Sequence, residues 1–174
     1  YARRMRRQHG NEILLERFHT ILWRSAAKRR YHVVIYEGRM KSQRIGGIVL
    51  CAGFGTRLQP ITHEIPKPAI PFLGKPMVWY AVRALYRAGI RRIAANLCHL
   101  PDTMEQCLRQ VCAEIGTDEP VCYREGTTIA GTAGGAAACA KLLPDCDQFV
   151  IYHGDVLSGA DLSIALDEHR RSQC

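Results

Sequence analysis

The sequence predicts an α/β fold built on a mostly parallel sheet. Short apolar runs bounded by glycine or polar residues recur at 48–52, 93–97, 121–123 and 149–152 and read as strands, the first as a parallel strand buried on both faces. Between them lie segments whose apolar residues recur at intervals of three and four, the period of core-facing helices. Strand and helix alternate, which requires right-handed crossover connections and places helices against the sheet. The expected architecture is therefore a Rossmann-like three-layer sandwich. At 174 residues and 47% apolar composition, the chain is long enough to bury an ordinary core.

Residues 1–44 read differently from the rest. They hold 12 Lys and Arg against 3 Asp and Glu, whereas the remaining 130 hold 12 against 13. The net charge of +8 thus belongs to the leader alone, which argues against a basic nucleic-acid-binding domain. Within the leader, Ile13, Leu14, Leu15, Phe18, Ile21, Leu22 and Ala26 stand at helical spacing and predict a helix over 13–26. The β-branched run 33–36 predicts a strand. The expected division is a basic N-terminal extension at 1–44, helix plus strand and a remnant of another domain, followed by one α/β unit at 45–174.

The unit at 45–174 opens with the strand at 48–52. Val78, Ala81, Val82, Leu85 and Ala88 predict a helix, and Gly89 its C-terminal stop. After the strand at 93–97, Asp102 is expected to cap a helix bearing Met104, Leu108, Val111 and Ile115. The strand at 121–123 leads to a glycine loop, Gly131-Thr132-Ala133-Gly134-Gly135, and an alanine-rich helix at 136–143. The strand at 149–152 ends in Gly154-Asp155, and Asp161 caps a last helix with Leu162, Ala165 and Leu166. Ligands of open α/β sheets bind beyond the carboxyl ends of strands. Asp155 and the glycine loops stand at such ends.

The stretch 48–76 has the layout of a polyphosphate-binding loop. Gly53 and Gly55 remove Cβ atoms that would keep an anion from the backbone amides. Arg57 offers a planar fork of donors, and Lys67, between Pro66 and Pro68, offers a point charge on stiff backbone. A dinucleotide fingerprint is excluded, because Leu58 stands where a third small residue is needed and Asn96 where an acid is wanted. A Walker A loop is excluded because Gly74-Lys75 precedes Pro76 rather than Ser or Thr. From glycine spacing alone, an ordinary strand-turn with surface basic residues stays open. For Asp155 alone, a helix-cap or turn role stays open too.

Eight cysteines form no CxxC pair, and most sit in apolar periodic segments. Buried reduced thiols in a cytoplasmic protein are the expected reading, with no zinc site. No apolar run reaches the roughly 18 residues of a membrane-spanning helix.

Three blocks in register, Leu50-Cys51-Ala52-Gly53-Phe54-Gly55-Thr56-Arg57-Leu58-Gln59-Pro60-Ile61-Thr62, Pro66-Lys67-Pro68 and Gly74-Lys75-Pro76, resemble the signature of the sugar-1-phosphate nucleotidylyltransferases, the NDP-sugar pyrophosphorylases. The resemblance covers 46–171. It implies transfer of a nucleotidyl group from an NTP to a sugar 1-phosphate, with release of pyrophosphate. It further implies triphosphate binding by Ala52, Gly53, Phe54, Gly55 and Thr56, catalytic roles for Arg57 and Lys67, a base seat at Gly131, Thr132 and Gly134, and a Mg²⁺ ligand in Asp155. His153 departs from the Asn that many members have there. Asn96 to Leu100 and Tyr123 to Gly126 look most similar to mannose-1-phosphate guanylyltransferase-like and N-acetylmuramate 1-phosphate uridylyltransferase-like members, leaving GTP and UTP both open. Family members continue with strands that bind the sugar phosphate and supply a second metal-binding acid, so the expectation is a nucleotide-binding part truncated at its C-terminus. A homo-oligomer is compatible with the family, and a non-catalytic regulatory or assembly module of this fold is the alternative. In the leader, 31–39 (YHVVIYEGR) resembles the strand and loop of the initiation factor 2B and sugar-phosphate isomerase-like superfamily.

Overall fold

The structure, a computed structural model, describes residues 18–24, 30–37, 44–126 and 129–172. In chain order the elements are β1 (Phe18–Arg24), β2 (Arg30–Glu37), β3 (Ile45–Leu50), β4 (Pro71–Phe72), β5 (Lys75–Pro76), α1 (Met77–Arg87), β6 (Ile93–Leu97), α2 (Pro101–Ile115), β7 (Val121–Arg124), α3 (Gly131–Lys141), β8 (Gln148–His153) and α4 (Leu162–Ser172). Six strands form one sheet in the order β1-β2-β8-β3-β6-β7. The four from β8 to β7 run parallel, while β2 joins β8 antiparallel and β1 joins β2 antiparallel.

The layers follow from alternation along each strand. Val49, Ile93, Ala95, Leu97, Val150 and Tyr152 point to one face, where they meet Val78, Ala81, Val82 and Leu85 of α1, Met104 and Leu108 of α2, and Leu162 and Leu166 of α4. Ile48, Leu50, Ala94, Phe149 and Ile151 point to the other, against Ala136 and Cys139 of α3 and against Leu143. These are the three layers that the alternating pattern predicts. The helix period reads off directly: Val78, Ala81, Val82 and Leu85 form the buried stripe of α1, and Gly89, at φ 84°, follows its end.

Chain order against strand order makes the site. From β3 the chain goes through α1 to β6 and through α2 to β7, always outward on one side. It then returns through α3 to β8, on the opposite side of β3. Connections leave β3 and arrive at β8 in opposite senses, and a crevice opens at the carboxyl ends of such a pair.

Four expectations need correction. Residues 18–24, expected in a helix, form β1; Phe, Thr, Ile and Trp suit a strand, and a short apolar run satisfies either period. The rest of that expected helix lies outside the described residues. β3 ends at Leu50, so Cys51 and Ala52 already belong to the loop. Helix α2 begins with Pro101 after Leu100 as its N-cap, because proline's fixed φ suits the first helical position. Asp102 sits instead in the first turn and pairs with Arg124 at 2.7 Å. Finally, 131–135 is the opening of α3 rather than a loop before it, since packing against the sheet overrides the low helix propensity of glycine.

Leu85 is 0% exposed at the centre of the larger cluster. Leu85→Ala should lower unfolding stability by about 2–5 kcal/mol, read as a shifted midpoint in urea denaturation with an unchanged slope.

Candidate functional site

The phosphate-type loop is shaped by its glycines. Gly55 stands at φ 62°, a region open to few other residues. A Cβ there would lie 2.9 Å from Thr62 Cγ2 and 3.1 Å from Lys67 Cβ. The buried Thr62 hydroxyl donates to Gly55 O at 3.1 Å, folding the chain back so that Lys67 arrives beside the loop. Outside, the Phe54 and His99 rings meet at 5.8 Å and 59°, and His99 Nε2 hydrogen-bonds to Thr62 O.

Asp155 reaches the same place from β8. Gly154 N–H donates to Leu50 O at 3.0 Å, carrying the β3–β8 pairing one step past the strand. A Cβ on Gly154 would sit 2.8 Å from Cys51 Sγ, 3.2 Å from Leu50 O and 3.2 Å from Pro68 Cβ. Glycine at 154 is what lets the next residue turn into the cleft. Lys67 Nζ and Asp155 Oδ2 form an ion pair across 88 positions of sequence, with the side chains 35% and 28% exposed.

A cleft of about 220 Å³ results. Of the residues expected at the site, Ala52, Gly53, Lys67, Gly131, Thr132 and Asp155 line it. Phe54, Gly55, Thr56, Arg57 and Gly134 do not; Arg57 is exposed on the single turn Thr56–Leu58. Gly131 and Thr132, the first two residues of α3, line the cleft, so the N-terminal end of that helix borders it. His153 is also in the wall.

Asn96 joins the site without belonging to any of the motif blocks. It lies 3% exposed in β6 and borders the cleft. The available signal was a lone amide side chain within an otherwise apolar strand, a pattern that demands a hydrogen-bonding explanation.

Among the described residues no group of three or more His, Cys, Asp or Glu is arranged to hold a metal ion, and none of the helices is long and apolar enough to cross a membrane. Asp155 offers one partly exposed carboxylate whose partner is Lys67. That suits a cation such as Mg²⁺, which keeps several waters and takes one or two carboxylates together with substrate phosphates. Cys51, also in the wall, is 1% exposed and burial pushes its thiol well above the ordinary range. It stays protonated and is no nucleophile. Burial likewise pushes Cys107 and Cys122 to about 11 and Cys139 to about 12.

A sequence profile described as nucleotidyl transferase matches residues 46–174. The chain belongs to the nucleotidyl transferase family. This family member is 33% identical over 138 residues to a mannose-1-phosphate guanylyltransferase of Mycobacterium tuberculosis, covering 77% of this chain and 36% of that protein. It is 35% identical over 132 residues to a UTP–glucose-1-phosphate uridylyltransferase of Synechocystis, covering 71% and 34%. A provisionally named glucose-1-phosphate thymidylyltransferase of Bacillus anthracis, solved in complex with sucrose, superposes with a TM-score of 0.60 at 25% identity, covering 73% of this chain and 50% of that one. The chain thus spans about a third of the length of the curated relatives it matches. Family members generally use a divalent metal ion.

Two outcomes test this geometry. Gly154→Ala should cost about 1–3 kcal/mol in chemical denaturation, because the new methyl must displace Cys51 or the backbone of β3. In native labelling with iodoacetamide at pH 8, read by peptide mass spectrometry, the half-exposed Cys98 should react well before Cys51.

Proposed function

We propose that residues 45–174 are the nucleotide-binding part of a sugar-1-phosphate nucleotidylyltransferase, which joins an NTP and a sugar 1-phosphate into an NDP-sugar and pyrophosphate. The observation that carries this reading is the convergence of Gly53, Lys67, Gly131 and Asp155 on one cleft at the reversal point of the sheet. The relatives, named as transferases of this kind, support it over a regulatory module. GTP and UTP remain the two candidate nucleotides. Seven free cysteines among the described residues support a cytoplasmic location.

In the proposed reaction an oxygen of the sugar phosphate forms a bond to the α-phosphorus. The bond from that phosphorus to the oxygen bridging to the β-phosphate breaks, and pyrophosphate leaves with its electron pair. Such a displacement asks the protein for alignment and charge neutralisation, not for a covalent nucleophile. The amides at Ala52 and Gly53 and the start of α3 bind the nucleotide on two sides. Lys67 neutralises phosphate charge, Arg57 adds positive charge from its exposed turn Thr56–Leu58, and Asp155 would hold Mg²⁺. When bound, Mg²⁺ supplies further charge neutralisation to the triphosphate.

The Lys67–Asp155 pair presents no obstacle to entry. Partly exposed ion pairs are worth about 0–1 kcal/mol, whereas a hydrogen bond to a charged group contributes about 1.5–3 kcal/mol. A magnesium–triphosphate can therefore part the two side chains, giving each a partner of opposite charge.

The 174-residue chain should be stabilised in a thermal melt by Mg²⁺ and an NTP together, by about 2.7 kcal/mol at a ligand concentration 100 times Kd, and by neither alone. Lys67→Ala should abolish that shift. In a chain extended to the length of its relatives, it should cut turnover by about 100-fold or more. Wild-type turnover in that variant would overturn the assignment.

A further inference from the structure

Behind the cleft wall lies a chain of buried polar groups with a fixed hydrogen-bond direction. Cys51 N–H, at the root of the phosphate-type loop, donates to Asn96 Oδ1 at 2.9 Å. Asn96 Nδ2 donates to Glu125 Oε1 at 2.8 Å. The other carboxylate oxygen, Glu125 Oε2, accepts from Ala130 N–H at 2.8 Å, immediately before α3. Glu125 is itself tied to β6, donating its N–H to Leu97 O at 2.7 Å. The carboxylate is buried at 8% exposure and the amide at 3%.

Each position in this chain is chemically determined. The Glu125 carboxylate can only accept, so the Asn96 amide must turn its NH₂ to Glu125 and its oxygen to Cys51 N–H, a donor it shares with the Asn96 backbone carbonyl at 3.2 Å. Glu125 then faces two donors and must accept at both oxygens, which a carboxylate does and a carboxamide cannot. Gly135 shows how tightly the group is enclosed. A Cβ there would lie 2.4 Å from Asn96 Nδ2 and 2.9 Å from Glu125 Oε1, so α3 can seat against the strap only with glycine at this position.

We infer that Glu125, acting through Asn96 and the Ala130 amide, is a positioning residue that locks the start of α3 to the phosphate-type loop, fixing where a nucleobase sits relative to the triphosphate. The inference rests on the nucleotide-binding reading given above. It assigns Glu125 no contact with the ligand. Its consequence is selective: losing the strap frees the base side of the cleft, while Gly53 and Lys67 still hold phosphate.

The test compares the full 174-residue chain with Glu125→Gln and, independently, Gly135→Ala, which disrupts the strap from the helix side. Affinities are measured by calorimetry for Mg-GTP, Mg-UTP and inorganic tripolyphosphate with Mg²⁺. For each variant we expect affinity for the preferred nucleotide to fall about 10-fold or more, preference between the two nucleotides to shrink, and tripolyphosphate affinity to stay within about twofold. General destabilisation would weaken all three ligands alike, and that result overturns the inference. So does a Glu125→Gln chain that binds and discriminates as wild type does, which leaves the nucleotide-binding reading intact. A wild-type chain that binds no magnesium nucleotide overturns both. Should either variant fail to fold, hydrogen exchange on the wild-type chain decides: the Ala130 amide is expected to be protected at least about 100-fold, and unprotected exchange there contradicts the strap.

Discussion

The parallel pairing of β3 with β8 is the constraint on which the site depends. Six residues of each strand run in register, from Ile45 opposite Gln148 to Leu50 opposite His153, so the two strands end flush at one edge of the sheet. Both loops then leave from the same line. A shift of one residue would turn every side chain to the opposite face, exchanging the α3-facing set Phe149 and Ile151 for Val150 and Tyr152. The two helical layers therefore enforce the register, and the register delivers Gly53 and Asp155 to a common crevice. The hydrogen bond from Gly154 to Leu50 O extends this control one residue beyond the strands.

Charge is placed where the apolar layers stop. The core between α1, α2 and α4 holds no ion pair among its described cluster residues, while Lys67 and Asp155 meet at the rim, partly open to water. A carboxylate sunk into the core would demand several kcal/mol of compensation. Held at the rim, the pair can exchange partners. Glu125 is the exception, a buried carboxylate whose two oxygens are both occupied by donors. It has no freedom to exchange, as suits a scaffold rather than a binding group.

Much of this was legible in the sequence because two periodicities carry it. The strand at 93–97 and the stripe Val78, Ala81, Val82, Leu85 were readable from apolar spacing, and the meeting of Gly53 with Asp155 followed from strand ends and helix crossovers. The failures have physical reasons too. In 18–24 a short apolar run fits either period, and only the pairing of β1 with β2 decides for strand. The glycines at 131–135 looked like a loop because propensity is local, while the contact between Gly135 and the Asn96–Glu125 pair is not. Where Arg57 stands, on the exposed turn Thr56–Leu58 rather than among the residues lining the cleft, is a matter of loop shape that sequence spacing does not give. The strap through Asn96 and Glu125 joins the end of β3, the strand β6, the end of β7 and the start of α3, and no spacing rule joins positions 51, 96, 125 and 130.

The central claim, that the phosphate-type loop at Gly53 and Asp155 together hold one metal-bound triphosphate, is tested most directly by paramagnetic broadening. Mn²⁺ in place of Mg²⁺ is titrated into ¹⁵N-labelled chain with and without a nucleoside triphosphate, and amide signals are followed by NMR. The account predicts that the amides of Gly53 and Asp155 broaden together, and strongly only when Mn²⁺ and the triphosphate are both present. Broadening at Asp155 that leaves Gly53 sharp, or that is indifferent to the nucleotide, would contradict it.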